Sequence, residues 1–368
     1  MAEIEIGTGK TARQAYGLED VAIVPSRRTR DPGDVDLSWD IDAFHFELPL
    51  LASAVDSVVS PARAIEIGRL GGVGVLNVEG VWGRYEDPVA VLEEIAGLPD
   101  DRVTARLQEI YAEPVKPELV ADRIHELKEA GVVTAVAVTP QRTEALTKGL
   151  VAADVDLLVI QGTVVSAEHV ARDGEPLNLK RFIRELPIPV LVGGCTSYQS
   201  ALHLMRTGAA GVLVGVGSRD AASVGEVLGL GVPQATAIAD ARGARMRHLD
   251  ETGVYCHVIA DGGMTTGGDL AKALALGADA VMIGSPLAAT DGAPGGGYHW
   301  GMGAVHASLP RGGRTEVGRL GSLEEILVGP SSVGDGRRNL FGSVRRAMAM
   351  TGHATLKEFQ KADLVVRG

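Results

Sequence analysis

Residues 257–284 read HVIADGGMTTGGDLAKALALGADAVMIG, and this stretch decides the fold of the chain. Residues 257–261 and 280–284 are short apolar runs, and residues 268–275 between them have the pattern of a helix. The two runs lack alternating polar residues, which is typical of strands buried on both faces of a parallel sheet. The stretch therefore predicts a strand–helix–strand unit whose two strands run in the same direction.

The same unit recurs along the chain, because eight short apolar runs are each followed by a helical pattern. Eight alternations favour a closed (β/α)8 barrel, the TIM barrel of the α/β class, over an open sheet. Residues 207–215 also match residues 276–284 nearly position for position, which either repeated αβ units or a shared phosphate-binding design would produce. The runs are residues 50–53, 73–77, 134–138, 156–160, 190–194, 211–215, 257–261 and 280–284, with helices that include 61–70, 117–130, 141–152, 198–207 and 268–275.

The rest of the chain is interpreted as additions to one domain. We expect residues 16–26 to be extended across the bottom of the barrel, and residues 340–360 to form closing helices. The Gly-rich run 291–297 is typical of a mobile flap. Residues 1–49 are assigned to an N-terminal cover segment, 50–289 to the barrel core with a helical insert at 78–133, and 290–368 to the flap and closing helices.

The composition excludes several classes of protein. The 368 residues carry a formal charge of −12, and an acidic chain disfavours non-specific nucleic-acid binding, which needs basic patches. A small anion remains a possible ligand, because backbone N–H groups can bind it. Two cysteines form no disulfide framework, and neither a secretory signal nor a membrane-spanning apolar run is present. We therefore expect a cytoplasmic protein without nucleic-acid or membrane partners.

A phosphate site is predicted at the ends of the seventh and eighth strands. Asp261 ends the seventh strand, and Gly262 and Gly263 allow backbone N–H groups to approach an anion closely. Gly284 and Ser285 end the eighth strand and precede a short helix. In such barrels these two loops are the usual phosphate site, and Asp261 is placed to accept hydrogen bonds from ribose hydroxyls. The alternative for the first loop is an ordinary Asp-Gly-Gly turn.

These motifs, with others, resemble a known family. Similarity extends over nearly the whole chain to inosine monophosphate dehydrogenase and guanosine monophosphate reductase, and most closely to an actinobacterial, dehydrogenase-related branch. That branch lacks the paired CBS regulatory domains, and the insert occupies the place where they branch off. The resemblance is carried by the segment 16–26, LASAVDS at 51–57, IADGGM at 259–264, MIGSPL at 282–287 and GMG at 301–303.

The resemblance implies a ligand, a cofactor and an assembly. The ligand would be a purine nucleoside monophosphate, IMP or GMP, the cofactor NAD or NADP, and the assembly a homotetramer. No metal ligands are predicted. The implied site residues are Gly217, Ser218, Gly262, Gly263, Gly284 and Ser285 for phosphate, Asp261 for ribose, Ser53, Val55, Met302 and Gly303 for the base, and Gln161, Gly193 and Gly194 for the cofactor side.

The loop after the sixth strand departs from the family. There the family carries its catalytic cysteine in a run close to Gly-Pro-Gly-Ser-x-Cys-Thr-Thr-Arg, whereas residues 215–225 read GVGSRDAASVG. The shared downstream run GVPQ at 231–234 fixes the register without a gap. The cysteine position is therefore Ala222, and the position of a phosphate-binding serine is Asp220. The cofactor side departs too, because Gln161 stands where the family carries an acidic residue.

The lost cysteine bears directly on the reaction. In the family a thiolate attacks carbon 2 of the purine before hydride leaves, and alanine has no nucleophilic group. Asp220 beside a phosphate would cost roughly 4 kcal/mol at about 4 Å and an effective dielectric of about 20, which Arg219 would offset by pairing. The candidates to replace the nucleophile are Ser223, in the same loop, and Cys195, at the end of the fifth strand.

Two further residues have ordinary interpretations. Cys256 lies five residues before Asp261, so at about 3.3 Å per residue it lies roughly 16 Å below the site and is interpreted as a core thiol. Tyr298 and His299 lie near the place where the family has a phosphate-binding tyrosine. We interpret His299 as a solvated loop residue.

Three hypotheses about function follow. The first is an NAD(P)-dependent oxidoreductase of IMP or GMP, impaired by the loss of the cysteine. The second is a non-catalytic, purine-nucleotide-binding paralogue with a regulatory role, which the altered loop favours. The third is a flavin mononucleotide oxidoreductase, which would share the phosphate-binding turns but not the 51–57 and 301–303 motifs.

Overall fold

Eight parallel strands close into a barrel, which confirms the predicted (β/α)8 fold. A computed structural model describes residues 3–167, 177–216, 224–301 and 313–367. Each barrel strand pairs in parallel with the next, and the eighth pairs with the first through Val281 and Leu50. The strands are Leu50–Ala52, Val73–Asn77, Ala135–Val138, Leu157–Gln161, Val190–Cys195, Gly211–Val214, His257–Asp261 and Ala280–Ile283.

The barrel strands are apolar throughout because both of their faces are covered. Side chains of the fourth strand from Leu157 to Ile160 are fully buried, as are Leu191 and Val192 of the fifth. One face packs inside the barrel and the other packs against the outer helices. The unbroken apolar runs seen in the sequence are therefore a direct consequence of the architecture.

The outer helices start at side chains that cap free backbone N–H groups. Ser60 accepts from the backbone N–H of Arg63 at 3.0 Å, and Ser197 and Thr266 form capping boxes with Ser200 and Asp269. The helices associated with the barrel strands are Pro61–Arg69, Pro117–Glu129, Thr143–Ala152, Leu179–Glu185, Tyr198–Met205, Val224–Leu228, Gln234–Thr252, Gly267–Leu276 and Ser285–Ala288.

Short antiparallel pairs and further helices are added to the barrel outside its eight strand–helix units. Trp39 of the hairpin Trp39–Ile41 and Phe44–Phe46 lies edge-on to His257, where the seventh strand begins. Of residues 16–26, which the sequence predicts to be extended, Val21–Ile23 forms a strand that pairs with Leu364–Val366, whereas Leu18–Asp20 forms a short helix. The other elements are the exposed hairpin Glu3–Gly7 and Lys10–Arg13, the short helices Leu18–Asp20 and Pro32–Asp34, and the closing helices Leu323–Leu327, Leu340–Met350 and Leu356–Phe359.

A buried ionic cluster fixes the last of these helices to the barrel. Asp279, just before the eighth strand, accepts hydrogen bonds from Arg245 at 2.7 Å and Lys357 at 2.6 Å. Tyr255 also donates to this carboxylate, at 2.7 Å. These positive neighbours outweigh the effect of burial and hold the pKa of Asp279 at about 2. The ion pair therefore persists at neutral pH.

The insert after the second strand contains a helical hairpin with a small core of its own. Its elements are Val81–Gly83, Pro88–Gly97 and Asp100–Ala112, followed by the second barrel helix. The hairpin core includes Ile95 and Leu107, together with Trp300 from far along the chain. Arg314 donates to carbonyl groups at the end of the first hairpin helix, and the short pair Tyr298–His299 and Thr315–Glu316 lies beside it. The insert thus packs on the segments that flank residues 302–312.

No helix in the part of the chain that the structure describes has both the length and the apolar character needed to cross a bilayer.

Candidate active site

Asp261 lies at the C-terminal end of the seventh strand, where two amide side chains fix it. Its Oδ2 accepts from Gln161 Nε2 at 2.9 Å, and Gln161 ends the fourth strand across the mouth of the barrel. Gln234 Nε2 donates to the backbone oxygen of Val214 at 2.7 Å and lies 3.4 Å from that of Asp261. The carboxylate predicted to bind ribose is therefore held in place before any ligand binds.

The surroundings of Asp261 set its charge. Burial raises the pKa of this carboxyl group to about 6, and the hydrogen bond from Gln161 opposes that rise. The group is thus mostly ionised at neutral pH and can accept hydrogen bonds from hydroxyl groups. Its protonation state changes within one or two units of neutral pH, which makes it the most pH-sensitive element of the predicted sugar site.

The turn after Asp261 requires glycine. Gly262 and Gly263 have φ angles of +74° and +75°, which side chains other than glycine rarely adopt. Gly262 N donates to Met282 O at 3.0 Å, so the seventh and eighth strands stay paired up to the turn. A Cβ on Gly215 would collide with the backbone oxygen of Asp261. The ends of the sixth, seventh and eighth strands therefore meet closely at the predicted phosphate site.

Gly284 brings the first strand, the eighth strand and the C-terminal segment together. A Cβ on Gly284 would lie 3.0 Å from the His299 ring and 3.4 Å from Ser53 Oγ. Ser285 opens the short helix that follows. Two residues predicted from separate motifs, Ser53 and Gly284, are thus neighbours, and Val55, two residues after Ser53, is buried.

The interpretation of His299 as a solvated residue is wrong. Its side chain is buried, and its Nδ1 lies 2.9 Å from Ser57 Oγ. Burial lowers the pKa of His299 to about 4, so the ring is neutral at neutral pH. No local pattern signals this burial, because Ser57 and His299 are separated by 242 residues. A neutral imidazole beside Gly284 adds a polar side chain to the predicted phosphate site.

A network of hydrogen bonds around Asp56 joins the site to the insert. Tyr111 OH donates to Asp56 Oδ2 at 2.6 Å and accepts from Trp300 Nε1 at 2.9 Å. The backbone N–H of Val81 also donates to Asp56, at 3.0 Å. Burial raises the pKa of Asp56 to about 6 against these hydrogen bonds. The helical insert therefore holds the first-strand motif and Trp300, just before the predicted base-binding residues, in one network.

Both cysteines are buried. Cys195 is buried at the end of the fifth strand, and its Sγ lies 3.4 Å from Leu213 O. Burial raises the pKa of this thiol to about 12. Cys256 is buried at the start of the seventh strand, as expected of a core thiol, and burial also raises its pKa. Neither cysteine is a thiolate at neutral pH, which argues against Cys195 as a substitute nucleophile.

The three residues predicted for the cofactor side are engaged in protein contacts. Gly194 N donates to Gly162 O at 3.0 Å, and Gly162 N donates to Gly193 O at 2.8 Å. A Cβ on Gly193 or Gly194 would press on Leu213 or on the backbone of Gly215. Gln161 is bound to Asp261. Backbone pairing and close packing account for Gly193 and Gly194 without a nicotinamide, whereas Gln161 keeps a buried Oε1 without a donor among the described residues.

Several predicted residues lie outside the described part of the chain. They are Gly217, Ser218, Ala222 and Ser223 in the loop after the sixth strand, and Met302 and Gly303 in the predicted base-binding loop. Arg219 and Asp220 also lie outside it. Within the described ranges, no group of three or more histidine, cysteine or acidic residues is arranged to hold a metal ion.

The fold is that of a TIM barrel with glycine turns at its C-terminal face. A model of the IMP dehydrogenase / GMP reductase domain matches residues 15–367, and the chain belongs to that family. A protein of Mycolicibacterium smegmatis and one of Mycobacterium leprae, each named an uncharacterized oxidoreductase, are 54% identical over 372 residues and 99% of both chains. The recognition of the family from sequence is confirmed.

More distant and structural relatives agree with this assignment. An inosine-5'-monophosphate dehydrogenase of Methanocaldococcus jannaschii is 27% identical, covering 77% of this chain and 74% of its own. The crystal structure of an IMP dehydrogenase/GMP reductase-like protein from Corynebacterium glutamicum superposes with a TM-score of 0.94 at 45% identity, covering 99% and 98% of the two chains. The barrel and its additions therefore belong to a fold already seen in this family.

Proposed function

We propose that this protein binds a purine nucleoside monophosphate, IMP or GMP, at the C-terminal face of its barrel and does not use the thiolate chemistry of its family. Asp261 would bind the ribose, and the turns at Gly262–Gly263 and Gly284–Ser285 would bind the phosphate. Ser53 lies beside Gly284 and is placed to contact the base or sugar. The proposal corresponds to the second hypothesis from the sequence, a non-catalytic, purine-nucleotide-binding paralogue. Its role would be regulatory.

The state of the two thiols carries the proposal. The chain contains two cysteines, and both are buried with raised pKa values. The position that corresponds to the catalytic cysteine is Ala222. A thiolate that attacks the purine ring is therefore lacking, whereas Asp261 and the glycine turns support nucleotide binding.

The second candidate is an NAD(P)-dependent oxidoreductase of IMP or GMP that works without a cysteine. Membership of the family and the names of the mycobacterial relatives favour it. The contacts of Gly193 and Gly194 do not favour it, since close packing and backbone pairing account for both glycines. The family assignment also argues against a flavin mononucleotide enzyme. By resemblance we expect a cytoplasmic homotetramer, which sedimentation velocity would check.

Two measurements on the wild-type protein test the proposal. In a thermal-shift screen, IMP or GMP should stabilise the protein, by about 2.7 kcal/mol at a ligand concentration 100 times Kd. Mixtures of IMP with NAD or NADP, and of GMP with their reduced forms, should leave the nicotinamide absorbance unchanged. Absence of any shift with either nucleotide would overturn nucleotide binding. Steady turnover in any mixture would instead establish the oxidoreductase.

A further inference from the structure

We infer that Gln161 determines which sugar the site accepts: together with Asp261 it forms a paired acceptor that selects ribose, with two neighbouring hydroxyl groups, over deoxyribose. The inference rests on the proposed function and deepens it by assigning a specificity-determining residue. Nothing in the sequence pattern of the fourth strand gives Gln161 this role.

The geometry fixes the direction of the Gln161 amide. Its Nε2 lies 2.9 Å from Asp261 Oδ2 and 3.6 Å from Met282 Sδ. Asp261 is ionised at neutral pH, so it can only accept, and the amide must turn its NH2 group towards it. The carbonyl oxygen Oε1 therefore faces away from the carboxylate, on the far side of the same amide group.

The Oε1 atom of Gln161 lacks a partner. It is shielded from solvent, and among the described residues no group donates a hydrogen bond to it. Buried acceptors without a donor are rare in native proteins, because each forfeits its hydrogen bond to water. An unmet acceptor at the mouth of the barrel, attached to a ligand-binding carboxylate, indicates that the ligand supplies the missing donor.

The Asp261 carboxylate and Gln161 Oε1 are neighbouring acceptors, because the amide group that carries Oε1 donates to that carboxylate. They call for two donors on neighbouring atoms of one ligand. The 2' and 3' hydroxyl groups of ribose meet this need, one donating to Asp261 and the other to Gln161. A deoxyribose supplies a single donor and leaves one acceptor buried and unpaired. Sites that are built to pair a hydroxyl group reject analogues that lack it far more strongly than apolar pockets reject an added group.

A carboxylate at position 161 would not serve in the same way. Two carboxylates at hydrogen-bond distance repel each other and raise the pKa of one of them. Glutamine avoids this conflict, because one end of its amide donates to Asp261 while the other end accepts. The amide therefore supplies a second acceptor without adding a second negative charge.

The test compares nucleotides and variants by calorimetric titration. GMP, 2'-deoxy-GMP and 3'-deoxy-GMP are each titrated into the wild-type protein and into Gln161→Met, which keeps the length of the side chain and removes both hydrogen-bonding groups. The wild-type protein should bind GMP at least about tenfold more tightly than either deoxy form. One of the two deoxy forms lacks the hydroxyl group that pairs with Gln161. In Gln161→Met, the preference for GMP over that form should fall to within about threefold, because the affinity for GMP falls while the affinity for that deoxy form changes little.

The outcomes separate this inference from the proposed function. An unchanged ratio between GMP and both deoxy forms in Gln161→Met would overturn the role of Gln161 while leaving nucleotide binding intact. Failure of the wild-type protein to bind any of the three nucleotides would overturn the proposed function and this inference with it. Thermal unfolding checks that the variant is folded, and Gln161→Ala, tested in the same way, replaces it if it is not.

Discussion

The ends of the seventh and eighth strands differ sharply from the ends of the fifth and sixth. At the first pair, Asp261 is ionised and held by an amide, and glycines with positive φ leave the backbone open to a ligand. At the second pair, Cys195 is closed against Leu213, and Gly193 and Gly194 are packed against the neighbouring strand. We call the ends of the seventh and eighth strands the binding end, because they have the features of the proposed nucleotide site, and the end of the fifth strand the closed end, because the thiol described there is buried.

The difference reflects how each end works. Binding of a phosphate depends on backbone geometry, which the strand ends and their glycines determine together with the fold. Nucleophilic catalysis depends on one side chain, which a single substitution removes without disturbing the fold. Ala222 is such a substitution relative to the family. Under the proposed function, this barrel has lost the reaction of its family and retained the ligand.

The largest effect on the binding end is expected from Asp261→Asn. The amide keeps the shape but removes the charge that strengthens hydrogen bonds to ribose, a loss of about 1.5–3 kcal/mol, or roughly 10–100-fold in Kd. Calorimetric titration with GMP measures it. The control is Asp42→Asn in an exposed turn at the bottom of the barrel, where Asn tolerates the positive φ of 52°. Equal affinities of Asp261→Asn and wild type would remove Asp261 from the site.

The pH dependence of binding is expected to be the next largest effect. The pKa of Asp261 is raised to about 6 in the folded protein, so the carboxylate is present above that value and is lost as pH falls through it. Affinity for GMP should weaken by up to about tenfold per unit below pH 6. The nucleotide phosphate also titrates near pH 6.

The same profile measured on Asp261→Asn isolates the contribution of the carboxyl group, since the phosphate and Asp56, whose pKa is also about 6, titrate in both proteins. If the two profiles have the same slope, the carboxyl group of Asp261 does not contribute to binding.

A smaller effect is expected where the insert supports the binding end. Tyr111→Phe leaves the buried Asp56 carboxylate and the Trp300 indole without their shared partner, which should lower the free energy of unfolding by about 2 kcal/mol. Affinity for GMP should fall only a few-fold, because Trp300 precedes the predicted base-binding residues without being one of them. Urea unfolding and titration measure the two quantities.

Tyr85→Phe provides the matched control for Tyr111→Phe. It removes a hydroxyl group of the same insert that donates to Ile110 O at 3.0 Å and takes no part in the Asp56–Tyr111–Trp300 network. It should leave GMP affinity unchanged. A loss of affinity as large as that of Tyr111→Phe would mean that the insert acts through its general stability.

The smallest effects are expected at the closed end. With a pKa of about 12, Cys195 has a thiolate fraction of about 10⁻⁴ near pH 8, so iodoacetamide should leave it unmodified in the native protein. Cys195→Ala should likewise leave GMP affinity unchanged. Mass spectrometry of the native and urea-unfolded protein checks the labelling. Rapid labelling of Cys195 in the native state would show that its thiol is reactive, and Cys195 would again be a candidate nucleophile.

The sequence was sufficient for the barrel and for part of the site. The eight apolar runs predicted the strands to within one or two residues, because a strand buried on both faces leaves an unbroken apolar signature. Asp261 and the glycines after it could be placed as well, since the end of a parallel strand fixes which face its loop joins. Ser53 and Gly284 follow from the same rule.

The remaining features depend on contacts that have no local signature. Tyr111 meets Trp300, and Ser57 meets His299, across separations of 189 and 242 residues. The position of Cys195 at a strand end did not reveal whether its thiol faces the mouth or the neighbouring strand. Gln161 departed visibly from the family residue, but its hydrogen bond to Asp261 required the closed barrel that brings the fourth and seventh strands together.

Proton NMR of IMP mixed with the wild-type protein and NAD tests the central claim most directly. One spectrum reports both binding and reaction, because binding broadens the purine resonances and oxidation removes the hydrogen on carbon 2. We predict broadened resonances whose carbon 2 intensity stays constant over time. Decay of that intensity would show that the barrel still performs the reaction, and sharp, unshifted resonances would show that IMP does not bind.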